Sequence, residues 1–156
     1  NKFIKMNWYV LITFPKNEFK VSNQLNKIGI ISFCPFRKEL RKWSDRFKKI
    51  NIPLLPSMVL VYLKESDRNK VFDINGIKRY LYYLNKPAIV YKDEIEVLKN
   101  FENNSNIKIK KNNYINNQLE KIPGFEKYNG KIIKMNNNYI WIRFKQVDFN
   151  INFKLI

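Results

Sequence analysis

Apolar residues run almost without interruption from Trp8 through Tyr9, Val10, Leu11 and Ile12 to Phe14, and Pro15 stops the run. Such a stretch predicts a central strand buried on both faces. Val21, Leu25 and Ile28 then recur at helical spacing ahead of Gly29, predicting an amphipathic helix over residues 16–28. Residues 30–36 read as a second strand that continues into a charged arm. The arm returns through residues 47–52 as a hairpin turning at Ser44-Asp45. Pro53 and Pro56 bracket a corner before a third buried strand at residues 57–63. Alternation there puts Met58, Leu60 and Tyr62 on one face and Val59, Val61 and Leu63 on the other. We assign the first set to a partner and the second to the helices. Ser66 or Asp67 would cap a short helix carrying Val71, Phe72 and Ile74, which Asn75-Gly76 ends, and a strand follows through Tyr80 and Leu81. Asp93 with Glu96 three residues on forms a capping-box-like start for a helix with the apolar face Ile95, Leu98 and Phe101.

Residues 102–106 are polar and lack an apolar period, as a linker would. Beyond them the character changes to short strand-like segments at residues 107–110, 131–135 and 139–145, with Asn136-Asn137-Asn138 as a hairpin turn. The strict alternation of residues 149–155 argues for strand against helix. The pattern therefore predicts an α+β sandwich over residues 1–102, a linker at 103–106 and a small antiparallel β-barrel over residues 107–156.

Composition adds a partner class. Of 156 residues, 45% are hydrophobic and 15% aromatic, ample for a packed core, while 30 Lys+Arg against 13 Asp+Glu give a net charge of +17. A drifted, Lys- and Asn-rich composition accounts for part of this excess. The local cluster Arg37, Lys38, Arg41, Lys42, Arg46, Lys48 and Lys49 instead points to a polyanion. Residues 1–103 carry 20 basic and 10 acidic side chains and residues 104–156 carry 10 and 3, so charge does not assign the partner to one half. The one cysteine, Cys34, excludes an intramolecular disulfide and fits a reducing cytoplasm. No window has the apolar length of a membrane span, and no signal-peptide pattern opens the chain, which begins at Asn1 as though a short piece preceded it.

Catalysis finds little support. With no His, triads and His-based metal sites are excluded. Asp45, Asp67, Asp73, Asp93, Glu94 and Glu96 fall at turns and helix starts, where capping explains them. The four glycines make no phosphate-binding loop. The residues argue for binding, with no enzyme activity, cofactor or metal.

Trp8-Tyr9-Val10, Trp43-Ser44-Asp45-Arg46, residues 53–61 (Pro-Leu-Leu-Pro-Ser-Met-Val-Leu-Val), Gly76-Ile77 and Lys86-Pro87-Ala88-Ile89-Val90 together resemble the NusG N-terminal domain over about residues 7–102. More narrowly they are similar to the specialised paralogues of the RfaH and UpxY type, and the Trp-Ser-Asp-Arg arm looks closest to UpxY. The remaining piece resembles a KOW module, with Ile122-Pro123-Gly124-Phe125 through Ile133 standing at its turn and strand. It departs from that pattern in having few glycines and much Asn. The family's Pro-Gly-Tyr is here Pro56-Ser57-Met58.

The resemblance implies a monomeric antitermination factor that rides on elongating RNA polymerase and suppresses pausing and termination. It implies that Ile12, Leu55, Met58, Leu60 and Leu98 form the pocket for the polymerase clamp helices. It further implies contact with the non-template DNA strand through Lys16, Lys20 and Gln24 on the first helix and Lys70 on the second, with Lys27 and Arg68 nearby. Arg37, Arg41, Lys42, Arg46, Lys48 and Lys49 of the arm could reach upstream duplex DNA or nascent RNA. The barrel would meet a ribosomal protein or a termination factor. The alternative reading is a KOW-containing RNA-binding or ribosome-associated protein, which needs no polymerase pocket.

Overall fold

In the computed structural model the described residues are 5–104, 109 and 118–155. The uninterrupted apolar run becomes β1 (Met6–Thr13), followed by α1 (Glu18–Lys27), β2 (Ile31–Phe33), the paired β3 (Phe36–Trp43) and β4 (Arg46–Pro53), and β5 (Met58–Lys64). A 3₁₀ helix (Glu65–Asp73), β6 (Ile77–Tyr80), the short β7 (Tyr82–Tyr83), β8 (Lys86–Pro87) and β9 (Ile89–Val90), and α2 (Lys92–Asn103) complete this part. The main sheet has the order β2-β5-β1-β6 with β9 also on β1, every pair antiparallel. β1 is therefore central, as its double burial requires.

Strand alternation sorts the core into two layers. Tyr9, Leu11, Val59, Val61 and Leu63 pack with Val21 and Leu25 of α1 and with Val71 and Ile74 of the 3₁₀ helix. Val10, Leu60 and Val90 face the other way, toward Ile95, Leu98 and Phe101 of α2. That second layer continues without a break into the C-terminal strands through Phe125, Ile142, Phe149, Ile151 and Phe153.

Those strands are β10 (Lys131–Met135), β11 (Tyr139–Arg143) and β12 (Asp148–Asn152), an antiparallel meander whose first turn holds Asn136 to Asn138. Isolated bridges, Gln118 with Lys131 and Ile109 with Leu155, extend it at both edges. The chain is thus α+β, a helix-and-sheet part followed by a strand-rich part. Most of the strand expected at residues 107–110 lies outside the described residues, as do residues 105–106 of the expected linker. The linker's first residue, Asn103, is the last of α2.

Local departures from expectation have local causes. α1 starts at Glu18, because Lys16 adopts a left-handed φ of 66° and belongs to the preceding turn. Ile28 ends up exposed at the helix C-terminus instead of buried. The strand expected over residues 30–36 breaks at Cys34 and Pro35 between β2 and β3. Burial pushes the Cys34 thiol up to about 12, as suits a packed side chain. The second helix is 3₁₀, starts at Glu65 and has no side-chain cap from Ser66 or Asp67. For α2 the capping carboxylate is Glu94, which accepts the Tyr91 N–H at 3.0 Å, while Glu96 pairs with Lys99. At the corner before β5, Ser57 holds φ at 60°, and the buried Glu18 carboxylate secures it by accepting the Ser57 N–H at 2.8 Å.

Gly76, at φ 104°, packs against the start of α1, where an added Cβ would lie 3.1 Å from Val21 Cγ2. Gly76→Ala is expected to cost about 1–2 kcal/mol from the left-handed backbone, with crowding added. Gly29→Ala should cost less, since φ is 86° there but the surrounding space is open. Urea unfolding of the two variants gives the order.

Candidate functional site

All five residues assigned to a polymerase pocket lie toward one face of the sheet. Leu55, Leu60 and Leu98 lie in the layer shared by α2 and the C-terminal strands, and Met58 packs against its edge. Ile12 pairs with Met58 in register but is half-buried and stands outside both core layers. The alternate set, Val59, Val61 and Leu63, is the one that packs α1 and the 3₁₀ helix. Leu55, Leu60 and Leu98 are fully buried, at 1%, 0% and 0% exposure. What covers them includes the meander as well as α2. Met58 remains half-buried at a cleft of about 430 Å³, shared with Leu81, Tyr82, Phe144 and Val147.

The cover is fastened at several points. Apolar contact centres on Phe101, whose ring lies 4.5 Å from Phe125 and 5.4 Å from Phe153, centroid to centroid. Beside it the Asn152 N–H donates to the Leu54 carbonyl at 2.7 Å. Arg37 donates from Nε and Nη2 to Asn152 Oδ1 at 3.3 and 3.0 Å, and from Nη1 to Glu39 at 3.2 Å. At the other end, the Lys145 N–H donates to Glu94 Oε2 at 2.9 Å and the Ile89 N–H to Gln146 Oε1 at 2.9 Å. Burial raises the Glu94 pKa, and the two backbone N–H donors oppose that shift. Asn100 Nδ2 adds a bond to the Gly124 carbonyl at 2.9 Å.

The basic residues divide by what they touch. On α1, Lys20 and Lys27 are exposed and Gln24 is half-buried; Lys16, in the turn before it, is exposed. Lys70 is exposed but paired with Asp67 at 3.1 Å. Arg68 is half-buried with its guanidinium 5.7 Å from the Tyr80 ring centre, and its carbonyl accepts the Tyr80 hydroxyl at 2.8 Å. Arg68 therefore braces the 3₁₀ helix. In the arm, Arg41, Lys42, Arg46, Lys48 and Lys49 are exposed. Arg37 is not: it is 8% exposed and committed to Glu39 and Asn152, so the expectation that it reaches nucleic acid is corrected. A run of charges gave no signal that this one faces inward. Lys78, which sequence reasoning passed over, sits 4.9 Å above the Phe14 ring beside the turn that leads into α1.

Among the described residues no group of three or more His, Cys, Asp or Glu could hold a metal ion. No helix among them is long and apolar enough to cross a membrane.

Comparison with curated proteins returns no match. Among solved structures the chain is similar to NusG of Thermotoga maritima, from work on domain interaction in that protein. The identity is 14%, over 96% of this chain and 94% of that one, with a TM-score of 0.48. The family model described as transcription termination factor NusG matches residues 6–99, which run from the first residue of β1 into the last turns of α2 and carry the apolar face just described. With more than half its length in that match, the chain belongs to the NusG family.

Proposed function

We propose that this NusG-family transcription factor docks on the clamp helices of RNA polymerase through Ile12, Leu55, Met58, Leu60 and Leu98, and suppresses pausing and termination on specific operons as the specialised paralogues do. One observation carries the reading: a large apolar sheet face is closed largely by a segment far along the chain. Helix-in-groove docking uses a preformed apolar surface of this kind. Because that surface is covered, the partner binds only the fraction of molecules whose C-terminal strands have lifted, and its apparent affinity falls by that fraction.

In this reading the chain divides into residues 1–102, a linker at 103–106 and a KOW-like module over residues 107–156 that meets a ribosomal protein or termination factor. Lys16, Lys20, Gln24, Lys27 and Lys70 track the non-template DNA strand, with Arg68 placing the 3₁₀ helix. Arg41, Lys42 and Arg46 supply a further nucleic-acid contact.

The test is capture of purified core RNA polymerase by the full chain, followed by a transcription termination assay. Met58→Asp is the informative variant, since a charge at fully buried Leu60 would unfold the protein. Capture is expected to fall at least tenfold with the circular dichroism spectrum unchanged. Full capture by Met58→Asp would reject the docking face and favour a ribosome-associated role. Reversing Lys20 and Lys70 to Glu should weaken recruitment to a paused complex and leave capture of polymerase without DNA intact.

A further inference from the structure

We propose that the tip of the β3–β4 hairpin binds single-stranded nucleic acid by stacking a base on the Trp43 indole while Arg46 and Lys48 hold the neighbouring phosphates. This deepens the nucleic-acid reading of the arm and does not depend on polymerase docking.

The hairpin is a preformed projection. Among the described residues β3 and β4 pair only with each other, along their whole length from Phe36 with Pro53 to Trp43 with Arg46. Their base is pinned by the Leu54 N–H on the Pro35 carbonyl at 2.8 Å, the Phe36 N–H on Glu102 at 3.0 Å, and Arg37. Beyond that base, every residue from 41 to 49 is exposed. The Ser44-Asp45 turn, with Ser44 at φ 55°, closes the tip.

Exposed rings set among the cations of the tip suit a partner with both charge and flat apolar surface. Trp43 is 61% exposed and Phe47 64%, so each forgoes roughly 1.5–3 kcal/mol of burial that a core position would give. A purely solvated cationic ribbon has no need of either ring. The register then sorts the side chains. Trp43 with Arg46 and Arg41 with Lys48 are directly opposed pairs two residues apart, so all four share one face. Of the acids of the arm, Glu39 is already bonded to Arg37 and to Arg41, the latter at 2.7 Å, and Asp45 lies exposed in the turn. The Lys48 ammonium stands over the Trp43 ring, 4.9 Å from its centre, so it covers one ring face and the base stacks on the other. Successive tiers along a strand are about 7 Å apart, comparable with the spacing of phosphates along an extended single strand.

An indole among cations selects the strandedness. In a duplex the base faces are stacked on each other, so arginines and lysines alone would serve and the exposed tryptophan would add nothing. An unpaired strand offers a free base face to the ring and phosphates to the cations beside it. DNA and RNA share this chemistry.

The experiment uses the full chain with fluorescently labelled oligothymidylate, oligouridylate and a duplex of the same length, read by anisotropy and tryptophan emission. Both single strands are expected to quench tryptophan emission and to bind more tightly than the duplex at matched salt. Whichever binds more tightly assigns RNA or DNA as the natural ligand. Trp43→Ala should weaken single-strand binding about tenfold, Trp43→Phe should keep most of it, and thermal stability should not change in either. Arg46→Ala with Lys48→Ala should lower the slope of log affinity against log salt by about 1.4. The proposal is overturned if the duplex binds as tightly as the single strands, or if Trp43→Ala leaves single-strand affinity unchanged. Loss of polymerase capture in Trp43→Ala with oligonucleotide binding intact would make the tip a protein contact, overturning this proposal while leaving the docking reading standing.

Discussion

Phe101→Ala is expected to lower the stability of the full chain by about 3–5 kcal/mol, the usual cost of emptying a buried phenylalanine site. Phe101 has no exposed surface and is the point where α2 meets Phe125 and Phe153. Its removal takes packing from the helix and from the C-terminal strands together. For a chain of this length the midpoint should fall on the order of 10 °C. The C-terminal strands would then lose their central aromatic contact with α2, so a scanning calorimeter should resolve two transitions where one is expected of the parent. A midpoint within a degree or two of the parent would mean that α2 and the meander do not share a core.

Arg37→Glu is expected to raise the affinity for RNA polymerase about tenfold. The native guanidinium satisfies Asn152 Oδ1 with two donors and neutralises Glu39 in a site 8% exposed. A carboxylate there faces the Glu39 carboxylate and loses both bonds to Asn152 Oδ1, a situation that costs about 2–5 kcal/mol at a buried contact. The closed arrangement bears that cost, since lifting the C-terminal strands gives the new charge access to water. The binding-competent fraction therefore rises, and apparent affinity rises with it. Asn152→Ala, which removes the acceptor from the other side, should act in the same direction. Equilibrium binding of labelled polymerase to the three proteins decides the matter. Parent-like affinity in both variants would show that Arg37 and Asn152 do not govern access.

Much of the fold is written in local patterns. β1 and β5 are legible because apolar alternation at a strand has one interpretation when both faces are buried, and Val59 against Leu60 already separates the two layers. α2 is legible from Ile95, Leu98 and Phe101. Its cap is not, because the residue before the helix is Tyr91, outside the usual capping set, and the carboxylate that serves it is Glu94 instead of Glu96. Arg37 sits among charges that do face water, and only its pairing with Ile52 at the foot of the hairpin distinguishes it. The cover over Leu60 was beyond reach for a different reason. Its contacts join segments separated by as many as 115 residues, as in the bond from Arg37 to Asn152, and no local period records such a pairing.

The rings that close the apolar face are themselves apolar, so lifting the C-terminal strands wets two surfaces at once: the sheet under Leu55 and Leu60, and the side of the meander that held Phe125 and Phe153 against Phe101. A ligand for either surface removes part of the penalty that opposes the other. Linkage then makes the two occupants positively cooperative by the same factor in each direction, even when they never touch each other. A protein that engages the freed meander would tighten the hold of the chain on polymerase, and polymerase would in turn recruit that protein.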